Sequence, residues 1–351
     1  MYVALFPYRL QFLIPAKTSR SELFYRDVWF IRLQDEEGKI GVGECPPLPG
    51  LSKELLPDYP EVLARLVADM NANPGWQPED FKDYPSFRFG LETALASLKA
   101  NNGPVLFPSD FTDGRSSYRI NGLIWMGTYA KMKSQIAAKL EEGFRCLKLK
   151  IGSINWDDEL HLLRQIRKDF SPSQLELRVD ANGAFDPYEA EGKLRDLEPF
   201  HIHSIEQPIY AGQRYMMEEL CRKEIIPIAL DEELLQVHTL EEKRSLLDEV
   251  HPQYLILKPG LNGGFASSEE WIQLGRERNI PFWITSSLES NVGLNALAQF
   301  TALHADDMPQ GLGTGQLYGN NFPGPLLLHG ERLYFDKNRT WDIRSIFEHE
   351  H

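Results

Sequence analysis

The spacing of apolar and polar residues divides the chain into two regions with different patterns. Alternation of apolar and polar residues predicts three strands in the first region, at residues 2–13, 25–34 and 39–48. Helical spacing follows at residues 60–70 and 87–100. The next segment, 101–117, is rich in glycine, proline and polar residues, so we expect a loop there and take it as the boundary between two domains.

Beyond residue 117, apolar strand-like runs alternate with segments of helical spacing. Eight such runs occur, at residues 118–126, 144–152, 175–183, 202–209, 226–234, 253–260, 281–290 and 310–315. Alternation of strands with helices predicts right-handed βαβ units and a parallel sheet. Eight units of this kind fit a closed β/α barrel.

Residues able to do chemistry recur at the carboxyl ends of these runs, at intervals of roughly 25 to 30 residues, a suitable length for one βα unit. They are Lys150, Asp180, Glu206, Asp231, Lys258 and Ser286. The carboxyl ends of barrel strands converge on one face, where the active sites of such proteins lie. We therefore expect these distant residues to share one pocket.

Two lysines occupy the second barrel run, in the order Leu147, Lys148, Leu149, Lys150 and Ile151. Because alternate strand residues face opposite ways, both lysines should point into the barrel mouth and the aliphatic residues toward the helices. Two ammonium groups so close should lower the pKa of at least one of them, and an amine with a lowered pKa can act as a base. The alternative is an edge strand whose lysines are solvated.

Acidic residues end the next three runs. Asp180 shares a strand face with Arg178 and Asn182, and Glu206 and Asp231 follow the two later strands. Any one of these acids, taken alone, fits a turn, a helix cap or the surface better than a metal ligand. Three converging carboxylates would repel one another unless a cation lies between them. Hard oxygen ligands with open positions suit Mg²⁺, with Mn²⁺ as the alternative.

Lys258 ends the following run and is expected to project from the pocket wall opposite Lys150. A lone lysine at such a position is usually an ion-pair partner. A metal ion and an ammonium group beside a carboxylate substrate can, however, stabilise the enediolate that forms when a weakly acidic α-proton is removed. The residues thus indicate an enzyme that removes a proton from a small carboxylate substrate.

Composition narrows the class of protein without identifying it. The 351 residues suffice for a barrel and a smaller domain, and 42% hydrophobic with 25% charged residues is ordinary for a folded soluble chain. The formal net charge of −14 argues against a nucleic-acid partner. The cysteines are far apart and lack any metal-site spacing, so we expect reduced, buried thiols at Cys45, Cys146 and Cys221.

The N-terminal sequence alternates apolar and polar residues and is interrupted by prolines, which predicts a strand and not a signal peptide. No apolar run approaches the roughly 20 residues that span a bilayer. We therefore expect a cytoplasmic protein with no membrane partner. The sequence carries no indication of its oligomeric state.

As a set, the lysine and acid positions resemble the motifs of the muconate-lactonizing subgroup of the enolase superfamily. The matching residues are Lys148, Lys150, Asp180, Glu206, Asp231 and Lys258. The resemblance implies a (β/α)7β barrel over residues 116–319, with an α+β capping domain over residues 1–105 that residues 320–351 complete. Within the subgroup, the runs Thr285–Ser290 and Gly311–Gly315 and the Arg-x-Asp-x-Asn of the third strand resemble the o-succinylbenzoate synthases, dehydratases of menaquinone biosynthesis.

This resemblance implies a substrate, 2-succinyl-6-hydroxy-2,4-cyclohexadiene-1-carboxylate, and a role for each residue. The three acids would hold Mg²⁺ beside the ring carboxylate, which Lys148 would assist. Lys150 would remove the α-proton and return a proton to the departing hydroxyl group on the same face. Lys258 would stay protonated and stabilise the enediolate, with a cation–π contact to the ring as one way of doing so.

The same resemblance implies residues that bind the rest of the substrate. They are Arg178, Asn182, Ser286, Ser287, Gly311, Gly313 and Thr314. The polar segment 17–21 and the proline-rich loop 46–52 would close over the pocket and exclude water. For the loop 46–52, a plain rigid connector is the alternative.

Other functions stay open at this point. An N-succinylamino acid racemase or a cycloisomerase would use the same residues, with Lys150 and Lys258 as bases on opposite faces. The eighth run lacks the Asp-x-Asp of dipeptide epimerases, which disfavours that activity. A non-catalytic carboxylate-binding barrel is the rival of another class, although buried amines without a task are costly. His201 and His203 are expected to be core or solvated residues and not metal ligands.

Overall fold

The structure, a computed structural model, describes residues 1–17, 22–125, 127–152 and 155–348. Its N-terminal part is an antiparallel sheet with the order β1 (Tyr2–Lys17), β2 (Glu22–Gln34) and β3 (Ile40–Cys45). The predicted strands are present, and the third ends at Cys45, where Pro46 and Pro47 begin the proline-rich loop. Proline lacks the N–H that continued strand pairing requires.

Two helices, α1 (Tyr59–Ala72) and α2 (Pro85–Lys99), cover one face of this sheet as the helical spacing predicted. Their apolar residues, among them Leu63 and Leu91, pack against Ile31 of the sheet. Helix α2 lies directly on β3, because a Cβ atom at Gly43 would come within 1.9 Å of the carbonyl oxygen of Gly90. Glycine at this position therefore permits the close approach of helix and strand.

The barrel begins after a short strand, β4 (Tyr118–Arg119). Its strands run parallel and pair in chain order, as β5 (Gly122–Ile124), β6 (Cys146–Lys150), β7 (Glu176–Asp180), β8 (Ser204–Glu206), β9 (Ile228–Leu230), β10 (Tyr254–Leu257) and β11 (Phe282–Ile284). Helices connect them: α3 (Tyr129–Glu141), α4 (Trp156–Asp169), α5 (Ala190–Leu197), α6 (Arg214–Arg222), α7 (Leu240–Val250), α8 (Pro259–Asn262) and α9 (Gly264–Glu277). Helix α10 (Asn291–His304) follows β11, and short 3₁₀ turns lie at Pro78–Phe81, Glu198–Phe200, Glu232–Gln236 and Arg344–Ile346.

The eighth run, predicted as a strand at residues 310–315, forms isolated bridges instead. Gln310 bridges Ile120 and Gly311 bridges Thr285, both in parallel, so these two residues close the barrel between its first and last strands. A Cβ atom at Gly311 would lie 2.3 Å from Oγ1 of Thr285, which explains the glycine. The glycines that allow this approach also weaken a continuous strand. The predicted (β/α)7β architecture is nevertheless confirmed.

The first predicted barrel run, 118–126, is divided between two sheets. Its beginning, β4, pairs antiparallel with a C-terminal hairpin of β12 (Leu326–His329) and β13 (Arg332–Phe335). Farther along the chain, Ile343 and Ile346 pack against Phe6 and Phe30 of the N-terminal sheet. The C-terminal residues thus contact both parts of the molecule, and the predicted domain limits of 1–105, 116–319 and 320–351 stay a prediction.

The aliphatic residues of the barrel strands face the surrounding helices. Leu147 and Leu149 of β6 belong to the main core together with Leu162 and Leu163 of α4. The three cysteines are buried with free thiols, which confirms that part of the sequence analysis. In the described part of the chain, no helix is long and apolar enough to cross a membrane.

Candidate active site

Strand β6 carries both lysines of the pair into the barrel mouth, as its alternation predicts. Nζ of Lys148 lies 3.0 Å from Oδ2 of Asp180 and 2.5 Å from Oε2 of Glu206. Nζ of Lys150 lies 2.9 Å from the same Oδ2 atom of Asp180 and donates a hydrogen bond of 2.7 Å to Oδ1 of Asn182. Both amines are therefore held by groups on the neighbouring strand ends.

The acids end adjacent strands and face the same space. Asp180 and Glu206 are register partners of the β7–β8 pair, and Asp231 follows β9 directly. All three are almost fully buried, at 1–2% exposure. Lys258, at the end of β10, donates to Asp231 and approaches Oε1 of Glu206 at 3.7 Å. The structure thus brings the three lysines and the three acids into one continuous cluster.

Burial and charge act in opposite directions on the acids. Burial alone would raise the pKa of Asp180, but Lys148 and Lys150 outweigh it and hold that pKa below its ordinary value. For Glu206, burial and the neighbouring Asp180 raise the pKa to about 7. A further positive charge nearby would therefore stabilise the deprotonated form of Glu206.

The sequence predicts a lowered pKa for at least one lysine of the pair, and Lys148 is not that lysine. Burial lowers the pKa of Lys148, but Asp180 and Glu206 outweigh it, so the pKa is raised and not lowered. The pKa of Lys258 is also raised, because Asp231 and Glu206 outweigh its burial. The prediction considered the two lysines against each other and omitted the larger effect of the acids.

The acids fit a divalent cation by their chemistry. Both carboxylate oxygens of Glu206 are buried, and among the described residues they form ion pairs with Lys148 and Lys258 without a hydrogen bond of regular geometry. Within those residues no group of three His, Cys, Asp or Glu side chains is arranged to hold a metal ion, since the ammonium groups of Lys148 and Lys258 lie against the acids instead. The donor set is nevertheless all hard oxygen, which suits Mg²⁺ or Mn²⁺.

Four members of the cluster, Lys148, Lys150, Asp180 and Lys258, line a cavity of about 110 Å³ at the barrel mouth. Most residues predicted to bind substrate line it, namely Asn182, Ser286, Ser287, Gly311, Gly313 and Thr314. Ser286 and Thr314 join their hydroxyl groups at 2.7 Å. Apolar residues also line the cavity, namely Leu23, Leu48, Pro49, Leu51, Leu123 and Trp125.

The proline-rich loop 46–52 therefore lies at the pocket and contributes to its wall, as the sequence analysis expected of a closing segment. Of the other expected segment, 17–21, residues 18–21 fall outside the described part of the chain. Closure itself stays a prediction for both segments.

Arg178 does not line the pocket, unlike the other residues predicted to bind substrate. Its guanidinium group donates to Glu176 at 2.7 Å and to the carbonyl of Pro309 at 2.8 Å, and it stacks 4.3 Å above the ring of Trp283. Arg178 lies two residues before Asp180 on the same strand, so its side chain lies deeper in the barrel than that of Asp180. Its place on the correct strand face was not enough to put it at the mouth.

His201 is exposed and His203 is half-buried, as expected for solvated or core residues. His203 stacks on Tyr254 with ring centroids 5.0 Å apart, and burial lowers its pKa. His201 ends a short 3₁₀ turn with a positive φ of 47°. Neither residue lines the pocket.

Two family models match this chain. Residues 131–338 match the model described as Enolase C-terminal domain-like, and residues 2–98 match the model described as MenC, N-terminal domain. The o-succinylbenzoate synthase of Desulfotalea psychrophila (strain LSv54) is 46% identical in sequence, over 91% of this chain and 95% of its own length.

The chain belongs to the o-succinylbenzoate synthase family of the enolase superfamily. A crystal structure of MenC from the same organism superposes on it with a TM-score of 0.81 and 43% identity, covering 95% of this chain and 99% of that one. The N-succinylamino acid racemase of an Amycolatopsis species is a more distant relative, 26% identical over 91% of this chain and 88% of its own length. The predicted family, fold class and enzyme class are confirmed.

Sequence reasoning missed two kinds of residue in this o-succinylbenzoate synthase family site. Glu232, beside Asp231, accepts a hydrogen bond from Asn182 at 3.1 Å. Strand alternation pointed it away from the pocket, but β9 ends at Leu230 and a 3₁₀ turn redirects the chain. Leu23 of β2 and Leu123 of β5 were also missed as lining residues, because their places at the pocket depend on contacts distant in sequence.

Proposed function

We propose that this chain catalyses the dehydration of 2-succinyl-6-hydroxy-2,4-cyclohexadiene-1-carboxylate to o-succinylbenzoate, a step toward menaquinone. The observation that carries the proposal is the cluster itself: Lys148 and Lys150 reach Asp180 on one side, and Lys258 reaches Asp231 on the other. Membership of the o-succinylbenzoate synthase family supports this substrate over other carboxylates.

Asp180, Glu206 and Asp231 would hold the cofactor, which we propose is Mg²⁺ with Mn²⁺ as a substitute. Their carboxylate oxygens are the hard donors that these ions prefer. When bound, the divalent cation supplies positive charge that makes the substrate's α-proton more acidic. Lys148, which lies beside Asp180 and Glu206, would assist the substrate carboxylate.

Lys150 is the proposed base. Its Nζ atom is fixed by acceptors on two sides, Asp180 and Asn182, and it lines the pocket where the substrate would bind. The neutral amine takes the α-proton, and the electron pair of the broken C–H bond forms the enediolate. The resulting ammonium group then gives a proton to the departing hydroxyl group, so that water leaves and the ring becomes aromatic.

Lys258 is the proposed electrostatic partner on the other side of the substrate. Its ammonium group pairs with Asp231 and lies 3.7 Å from Glu206, and in the proposed mechanism it stays protonated throughout the reaction. A fixed ammonium group stabilises the negative charge of the enediolate as it develops. Because aromatisation favours the elimination, this arrangement needs no second base.

N-succinylamino acid racemisation is the second candidate, since Lys150 and Lys258 would serve as bases on opposite faces. The relative from Amycolatopsis favours it. A carboxylate-binding barrel without catalysis is the remaining alternative, and a cluster of three buried amines argues against it because such groups are costly without a task.

The deciding experiment follows the ultraviolet absorbance of the cyclohexadiene substrate with purified protein and Mg²⁺, beside a panel of N-succinylamino acids. We expect rapid loss of the substrate absorbance, abolished by EDTA and restored by Mg²⁺. For the panel, α-proton exchange with deuterated solvent and change of optical rotation are recorded. Racemisation without dehydration would overturn the proposal, and the absence of both would favour the binding protein.

A further inference from the structure

Arg26, on β2 of the capping sheet, is almost completely buried, at 1% exposure. Its guanidinium group contacts two segments that both contribute residues to the lining of the pocket. Nη1 donates to the carbonyl oxygen of Ser287, after barrel strand β11, and Nη2 donates to the carbonyl oxygens of Pro46 and Pro47, the latter at 3.3 Å. The side chain of Arg26 thus connects the proline-rich loop to the turn that follows β11.

The turn that Arg26 contacts is strained and depends on side chains for its shape. Leu288, a pocket residue, has a φ of 69°, a left-handed conformation that costs a branched side chain energy. Its carbonyl oxygen accepts a hydrogen bond of 2.7 Å from the hydroxyl group of Tyr318. Glu289, fully buried, accepts from both the backbone N–H and the hydroxyl group of Ser287, at 2.9 and 2.6 Å.

The capping sheet holds the end of the same turn through a second residue. Glu44 of β3, fully buried, accepts hydrogen bonds of 2.9 Å from the backbone N–H groups of Ser290 and Gly293 at the start of α10. Two residues of the capping sheet, Arg26 and Glu44, therefore form hydrogen bonds to the two ends of this turn, which lines the pocket. A strained conformation persists when its surroundings over-determine it in this way.

We infer that Arg26 is a positioning residue for the proposed dehydration. By binding the loop 46–52 and the turn 287–290 at once, it fixes the position of these two segments of the pocket lining relative to each other and so determines how tightly the non-reacting part of the substrate is bound. The inference rests on the proposed function for its substrate. Arg26 touches neither the lysines nor the acids in any contact that the structure gives it, so it should leave the chemical step itself nearly unchanged.

To bind both segments at once, the side chain needs the planar, forked shape of a guanidinium group. Two nitrogen atoms of one rigid plane donate in different directions, to Ser287 and to the prolines. A lysine carries the same charge but concentrates its donors on one atom at the end of a flexible chain. Arg26→Lys should therefore keep the charge and lose the bridge.

The test compares Arg26→Lys and Arg26→Met with a control on the same strand, Arg32→Met. Arg32 stacks on the rings of Phe6 and Phe347, at 5.1 and 5.5 Å, and does not line the pocket. We expect both Arg26 variants to raise KM for the cyclohexadiene substrate about tenfold, with kcat within about threefold, as loss of uniform substrate binding predicts. Arg32→Met should leave KM unchanged.

Hydrogen–deuterium exchange gives a second readout that needs no substrate. In the Arg26 variants, peptides covering residues 46–52 and 285–290 should both exchange faster, while neither should change in Arg32→Met. An unchanged KM together with faster exchange in one segment alone, or the same KM change in Arg32→Met, would overturn the inference. A wild-type protein that fails to dehydrate the substrate would instead count against the proposed function, and the exchange experiment would still test the bridge.

Discussion

Lys150 donates a hydrogen bond of 2.7 Å from Nζ to Oδ1 of Asn182, so the proposed base is oriented by a neutral amide. Asn182 can occupy this position because it has a φ of 46°, in the left-handed region that asparagine tolerates better than most residues. Its own side-chain NH₂ group donates to Glu232, which fixes the direction in which Oδ1 points. Asn182 therefore affects the proposed reaction indirectly, by orienting the amine of Lys150.

Removing the amide of Asn182 should slow the reaction without affecting the metal site. We expect Asn182→Gly and Asn182→Ala each to lower kcat about tenfold, the order of one hydrogen bond to a charged or reacting group. Steady-state kinetics with the cyclohexadiene substrate measure this effect. Glycine accepts the left-handed backbone and alanine does not, so the loss shared by both variants reports the amide. A loss confined to Asn182→Ala would show that backbone strain and not the amide is responsible.

The proposed cation depends on Glu206. Glu206→Gln removes a buried negative charge from the proposed cation site, and we expect it to weaken Mg²⁺ binding by at least about tenfold. Isothermal titration calorimetry measures the affinity directly. The matched control is Glu176→Gln, a carboxylate at the other end of neighbouring strand β7 that pairs with Arg178. Equal affinities in both variants would contradict the assignment of Glu206 as a ligand.

Substituting alanine for two different glycines should change the free energy of unfolding in opposite directions. A Cβ atom at Gly260 would lie 2.8 Å from Oε1 of Glu289 and 3.0 Å from Pro46, beneath the turn that lines the pocket, whereas at Gly192 in α5 it would meet nothing within 4 Å. We expect Gly260→Ala to lower the free energy of unfolding by about 1–3 kcal/mol. Gly192→Ala should raise it by about 0.5–1 kcal/mol, because alanine favours the helix. Denaturant unfolding measures both, and a stable Gly260→Ala protein would contradict the tight packing described.

Glu54 should make the stability of the capping domain depend on pH. Its carboxyl accepts a hydrogen bond of 2.9 Å from the backbone of Ser86, and burial raises its pKa from 4.5 to about 7. A pKa that is higher in the folded than in the unfolded chain gives stability that is present below about pH 4.5 and is lost as the pH rises through about 7.

The variant Glu54→Gln removes this titration. Its free energy of unfolding relative to the wild type should therefore increase between pH 5 and pH 8, by about 1–3 kcal/mol. Chemical denaturation at several pH values measures the difference. Glu61→Gln, at an exposed position of α1, provides the control and should give no such trend. Parallel curves for Glu54→Gln and the wild type would refute the prediction.

The site could be predicted largely because its residues obey local rules. Lys148 and Lys150 alternate with leucines, so their direction follows from the period of the strand, and Asp180 and Glu206 end successive strands that pair side by side. The spacing of these positions along the chain matches one βα unit. These positions can be predicted from local periodicity and spacing, without information about contacts distant in sequence.

The residues that sequence reasoning misplaced depend on distant contacts. Arg178 lies on the predicted face but is held deeper in the barrel by Glu176 and Pro309. The eighth strand is reduced to bridges because Gly311 must approach Thr285 closely, and the run 118–126 divides because a hairpin more than 200 residues later pairs with its beginning. Nothing in the local pattern at Arg26 indicated its bridge to Ser287, 261 residues away.

The central claim is that Lys150 removes the α-proton within an intact metal site, and Lys150→Ala tests it most directly. Turnover of the cyclohexadiene substrate and calorimetric Mg²⁺ binding are measured on the same preparation of the variant. The account predicts that turnover falls by at least about a thousandfold, since no other group replaces the base, while the Mg²⁺ affinity stays close to that of the wild type. Turnover near the wild-type rate would contradict it.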